Sequence, residues 1–306
     1  MLEITVLTEK GHRHVRPTAR ELATLVHRIG GQGDMFLVVQ PIPDLPHVFI
    51  QVWHRAGGDY TLEHRDGGPD RHFQVKLDDP EPIVAALAGW ARREDAWRTQ
   101  LPWQRLDLGP APAPVPPLDL DDQDREELED HLRQALLAGY ITRAELAELA
   151  EDYLADIDDA PVSPAQAAQL ADRLWLERVT EQAAWQGETD PERLTRAFTA
   201  LNASGITARE NFTCCRNCGH SEIAAEAAPG ARGFVYFHQQ CTDSAAAGHG
   251  LTLFYGTFNA SRHTTATIGK EIVTALESAG LSAEWNGDPA RSINVTHLNW
   301  QRRLVG

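Results

Sequence analysis

The sequence is poor in lysine, in cysteine and in long apolar runs, and each shortage removes a class of function. Only Lys10, Lys76 and Lys270 are lysines among 28 basic residues, against 44 acidic ones and a net charge of −16. No cluster of Lys or Arg stands out, so binding to nucleic-acid phosphates, which draws its affinity from counterions released by clustered cations, is disfavoured. No stretch approaches the roughly 18 apolar residues that a membrane span needs, and "MLEITVLTEKGHRHV" at the start lacks the apolar run of a signal peptide. The expectation is a cytoplasmic chain without a membrane partner. Four cysteines, three of them within five positions, are too few and too clustered for a secreted disulfide framework; reducing cytosol favours metal binding, catalysis or burial. The G-x-S-x-G, Walker A and G-x-G-x-x-G patterns are absent. "GGQGD" at 30–34 follows a helical pattern and precedes a strand, the reverse of a phosphate cradle, and reads as a helix stop.

What is present is 306 residues of ordinary apolar content, 42%, enough for two modest cores. The excess of arginine and alanine fits GC-rich coding such as actinobacteria use. Residues 1–109 carry 15 acids and 13 bases, residues 118–159 carry 15 and 3, and residues 160–306 carry 14 and 12. The acidity is therefore concentrated in one central segment. Just before it, "PAPAPVPP" at 110–117 has five prolines in eight positions. Such a run neither pairs in a sheet nor continues a helix, and as polyproline II it spans on the order of 25 Å.

Periodicity assigns the rest. Before the spacer, "LEITVL" reads as a strand and "RPTARELATLVHRIGG" as a helix. "FLVVQ", "HVFIQVWH", "YTLEHRDG" and "HFQVKL" then form an antiparallel meander, and "PEPIVAALAGWARRE" is a covering helix capped by Asp79. His47, His54, His64 and His72 fall on these strands and read as solvated positions. After the spacer come amphipathic helices, one opening with Thr142 and Glu145 at capping-box spacing. A last region, "GFVYFHQQ", "LTLFYGTF", "GKEIVTALESAG", "LSAEW" and "SINVTHLNW", reads as ββαββ. The predicted fold class is α+β, with two domains, each an antiparallel sheet covered by helices, joined by a Pro-rich spacer and a helical lead-in. The boundaries are an α+β domain at 1–109, the linker at 110–117, an acidic helical region at 118–205 and a Cys/His-containing α+β domain at 206–306.

The chemistry centres on "NFTCCRNCGH", 211–220. Cys215 and Cys218 have zinc-knuckle spacing, with Gly219 suited to a φ > 0 turn after the second thiol. His238 and Cys241 supply a second pair, giving C-x2-C-x19-H-x2-C, with His220 as a competing ligand. Cys214 points to the opposite face of an extended backbone and is assigned to packing. Four protein ligands would make a structural zinc; buried thiols without an ion are an equal alternative. A thioredoxin-like redox motif fits less well, because "GHSEIAAEAAPGARG" after Cys218 reads as a short acidic, irregular segment. An enzymatic alternative takes Cys215 or Cys218 with His238 and Asp243 as a Cys-His-Asp arrangement in a thiol-dependent hydrolase or transferase.

The N-terminal 109 residues, through "FLVVQ", "FIQVWH", "YTLEHRDGGPDRHFQV", "IVAALAGWARREDAW" and "LPWQRLDL", resemble the immunity-protein family that neutralises deaminase-type polymorphic toxins. Residues from about 119 onward, through "GITARENFTCCRNCGHSEI", "GFVYFHQQ", "LTLFYG", "IGKEIVTALESAGL" and "EWNGDP", are similar to an uncharacterised bacterial domain family. In that family an aspartate commonly stands at the place of Cys241, which the resemblance makes a less soft ligand. The first resemblance implies stoichiometric occlusion of a toxin. The expected function is thus a non-enzymatic cytoplasmic binding protein with a protein partner, with an acidic scaffold for a basic partner as a further alternative.

Overall fold

The computed structural model describes residues 1–110, 113–155, 161–258 and 262–306. Two positions of the proline spacer and the end of the acidic segment lie outside the described residues. The chain divides into two compact units, Met1–Asp121 with Thr142–Val179 and Leu304–Gly306, and Asp122–Ile141 with Thr180–Arg303. Each holds a helix-flanked open sheet, so the architecture is α+β in two domains.

The first unit runs β1 (Ile4–Thr8), β2 (Arg13–Val15), α1 (Ala19–Arg28), β3 (Phe36–Pro41), β4 (Val48–Trp53), β5 (Tyr60–Asp66), β6 (His72–Leu77), α2 (Pro80–Ala91), α3 (Ala96–Gln100) and β7 (Gln104–Arg105). The strands form one antiparallel sheet in the order β2-β1-β3-β4-β5-β6-β7. Its register aligns Leu37 with Val52 and Val52 with Leu62, so alternate residues of each strand reach one face together. That face packs on Leu22, Val26, Ile83 and Leu87 of α1 and α2. Local chemistry starts the helices where the sequence predicts. Thr18 and Glu21 make a reciprocal capping box on α1, and the Asp79 carboxylate accepts from the Glu81 N–H on α2. Two strand histidines depart from expectation: His64 and His72 are each only 6% exposed. The alternation that puts Leu62 in the core puts His64 there as well, between Phe73, Trp97 and Trp103.

Of the helices after the spacer, α4 (Asp122–Ala138) belongs to the second unit, whereas α5 (Arg143–Asp152) and most of α6 (Pro164–Gln182) belong to the first. The helical region expected as one block over 118–205 is therefore shared between the units. The physical tie is Asp44, which takes the Arg143 guanidinium at 2.7 Å on its carboxylate and the Trp175 indole N–H at 2.7 Å on its carbonyl.

The second unit continues with α7 (Asp190–Ala203), β8 (Ile206–Arg209), α8 (Arg216–Glu222), β9 (Gly233–Tyr236), α9 (Gln239–Ala246), β10 (Leu251–Thr257), α10 (Arg262–Ser278), β11 (Ser282–Glu284) and β12 (Ile293–Thr296). Its sheet has the order β11-β12-β10-β9-β8. The β8–β9 pair is parallel and the other pairs antiparallel. The sheet is thus mixed where a purely antiparallel one was expected, because residues 210–232 cross back over the sheet with α8 before β9 begins. One face carries the main core, in which Phe198, Phe237, Leu253, Ile272 and Val295 meet. The other carries Phe234, Tyr236 and Phe254, with Phe212, Phe258 and Ile223 packed against them.

Candidate metal centre

The segment that precedes α8 is fixed to the end of β9 by its backbone. The Phe212 N–H donates to the Phe237 carbonyl at 2.7 Å, and the Gln239 N–H to the Thr213 carbonyl at 3.1 Å. Between these bonds the chain turns sharply, with Asn211 and Thr213 both at positive φ, 47° and 62°. A fully buried Thr242 hydroxyl donates to the Asn211 side chain at 2.7 Å and holds that turn. Cys215 then caps α8, and the Gly219 N–H closes the first turn on the Cys215 carbonyl at 3.0 Å.

This path gathers three sulfurs. The ligand atoms of Cys214, Cys215 and Cys218 all lie within 4.8 Å of one another, and the Cys214 and Cys218 sulfurs are 3.7 Å apart. A tetrahedral zinc with bonds of about 2.3 Å separates two thiolates by about 3.8 Å. The spacing therefore suits a metal ion, and thiolates are the donors that zinc favours over harder cations. Cys214, expected to be a packing thiol, is instead exposed and a member of the cluster. The chain turns sharply just before Cys214, with Thr213 at positive φ, so the opposite-face rule for a continuous strand does not apply across this segment.

The thiols are electrostatically unequal. The Cys218 backbone N–H, aided by the Cys218 and Cys214 thiols, holds Cys215 below the ordinary thiol range. Hydrogen bonds to Cys214 and Cys215 push Cys218 up to about 11. The two thiols are thus driven in opposite directions, which is how close groups of like charge behave without a compensating cation. A metal ion taken up by these thiols would displace their protons and would bind more tightly as pH rises.

His238 and Cys241 form a pair of their own. His238 caps α9, its Nε2 lies 3.4 Å from the Cys241 sulfur, and its ring stacks on Phe254 at 5.3 Å. Both side chains are buried. Burial pulls His238 below the usual imidazole value and pushes the Cys241 thiol up, so both stay neutral. Among the described residues, neither His238 nor Cys241, nor the alternative ligand His220, joins the three-sulfur group. The expected C-x2-C-x19-H-x2-C set is therefore split into a trio and a pair, and a metal held by the trio would need its fourth ligand from water or an outside donor. His220 is exposed on α8, edge-on to Phe234. The thiol beside His238 is Cys241 and not Cys215 or Cys218, and Asp243, exposed on α9, makes no hydrogen bond to His238 among the described residues.

Gly219 also has a different role from the one its motif suggests. It is helical, and an added β-carbon would meet the Tyr236 ring at 2.5 Å, so close approach and not a left-handed turn excludes a side chain. The sequence carried a signal for this second layer: "FVYF" is apolar at every position, as a strand covered on both faces must be.

Comparison with known families matches residues 121–304 to a family described as a domain of unknown function, DUF6891. No curated protein and no solved structure matches the chain.

Proposed function

The chain belongs to the DUF6891 family, and from the cluster that lies within the matched region we propose a zinc-binding protein that acts by stoichiometric contact with a protein partner and not by catalysis. The observation that carries the metal is the mutual approach of the Cys214, Cys215 and Cys218 sulfurs. Three thiolates satisfy the soft-donor preference of zinc, and the ion ties the chain before α8 to the first turn of that helix.

Partner binding is supported by the first unit. The sheet face opposite α1 and α2 presents Phe36, Val38 and a 43% exposed Trp53 around a groove of about 280 Å³ that also meets Gln51, Thr61 and Glu63. Aromatic anchors with a polar rim are the composition of contact surfaces. The resemblance of residues 1–109 to immunity proteins supports a toxin as that partner. Among the described residues no helix is long and apolar enough to cross a membrane.

The test is elemental analysis of protein purified without chelator or affinity-tag metal, with native thiol titration alongside. Near one zinc per chain, falling on Cys214→Ser as on Cys218→Ser, is the expected result. Absence of zinc with freely reactive Cys214 and Cys218 in the native protein would refute it.

A further inference from the structure

Beside the cluster, on the aromatic face of the second sheet, lies a small pocket of about 70 Å³. Tyr236, Phe254 and Tyr255 line it together with Arg216, His220 and Arg291. Neither arginine has a carboxylate partner among the described residues, although the chain as a whole carries 16 more negative than positive charges. Other arginines of this unit are neutralised: Arg232 by Glu271, Arg209 by Glu226 and Arg303 by Glu192. Arg216 is held in place without being neutralised, its guanidinium lying 5.0 Å from the centre of the Phe254 ring. Arg291 is positioned by a turn in which its N–H bonds to the Asp288 carbonyl at 3.0 Å, and the same carbonyl takes the Trp285 indole N–H at 3.1 Å.

We propose that this pocket is a binding site for a small oxyanion of the phosphate class, received between Arg216 and Arg291. Two uncompensated guanidinium groups match a doubly charged head, which a carboxylate does not supply, and their planar forks suit tetrahedral oxyanions through paired N–H donors. The volume is well below the roughly 300 Å³ at which whole small-molecule sites begin. Only the anionic head enters, and any organic remainder lies over the half-buried Phe254 and Tyr255 rings. No sulfur is a ligand in this site, so it stands apart from the zinc reading.

The experiment is calorimetric titration of the full chain with sodium phosphate at fixed ionic strength, with acetate as the singly charged comparison and phenyl phosphate as the ester. Saturable phosphate binding, weakened at least tenfold in Arg291→Ala and in Arg216→Ala and absent for acetate, is expected. Tighter binding of phenyl phosphate would assign an aromatic phosphate ester, and equal binding the free anion. Arg291 is exposed and distant in sequence from the thiols, so Arg291→Ala should keep both the melting temperature and the zinc content of the parent protein. Phosphate affinity unchanged in that variant, as for an anion sitting on the metal, or no saturable binding at all, would overturn the proposal while leaving the metal result to stand alone.

Discussion

The α-carbon of Gly219 sits directly against the ring of Tyr236, so that a β-carbon there would come within 2.5 Å of Cε2 and 2.9 Å of Cζ. The ring cannot yield easily, since Tyr236 is fully buried and its hydroxyl donates to the Arg216 carbonyl at 3.1 Å. Helix α8 is thereby pressed onto the sheet, and Cys215 and Cys218 ride on its position.

Gly219→Ala should accordingly destabilise the second unit. Alanine gains about 1 kcal/mol in helix propensity over glycine, while forcing a methyl group into a packed contact costs ~1–3 kcal/mol. The diagnostic outcome is not the net stability but zinc content, which should fall because α8 must lift. A variant that melts as the parent does and holds the same metal would show that the contact does not position the cluster.

Most strands of both sheets, the longer helices and the thiol motif were legible in the sequence because they follow local rules; β8, α8 and α9 were not, and α8 runs to Glu222 through the start of a stretch expected to be irregular. Alternation placed the strands of the first sheet, and the Thr142–Glu145 box opened α5 where predicted. What was not legible depended on the third dimension. Cys214 joins its neighbours in a sharp turn, with Asn211 and Thr213 at positive φ, that no spacing rule announces. Parallel pairing of β8 with β9 follows from a crossover, and the sharing of the acidic helices follows from Asp44, whose partners Arg143 and Trp175 lie about a hundred residues or more away in the chain.

His64 makes the first unit acid-sensitive. Burial among Phe73, Trp97 and Trp103, helped by the positive charge of Arg98, lowers its pKa to about 4 from an ordinary 6.5. The unfolded chain therefore takes up a proton on His64 before the folded one does. The associated stability is fully present above pH 6.5 and is lost as pH falls from there toward 4, to a limit of ~3 kcal/mol. Urea midpoints followed by tryptophan fluorescence should show this slope in the parent protein and a shallower one in His64→Phe, which keeps an aromatic ring without the titration. Equal slopes in the two proteins would exclude His64 as the cause.

Asp44 provides the sharpest test of how the first unit is assembled. Its carboxylate is 4% exposed and bonded to Arg143, which also reaches Asp172 at 2.6 Å. Burial raises the Asp44 carboxyl above the ordinary aspartate value, and the Arg143 charge opposes that rise. Removing the cation leaves a buried charge unpaired, so Arg143→Ala should cost ~3–5 kcal/mol at neutral pH. The added change Asp44→Asn should recover most of that loss, because the unpaired charge is then gone. The single variant should also regain stability relative to the parent as pH falls, since protonating a carboxyl whose folded pKa is raised favours the folded state. Residues 1–109 alone lack both Arg143 and Trp175, and should unfold at lower urea than the full chain. A fragment 1–109 as stable as the intact first unit, or an Arg143→Ala variant within ~0.5 kcal/mol of the parent, would mean that the N-terminal sheet stands without α5 and α6.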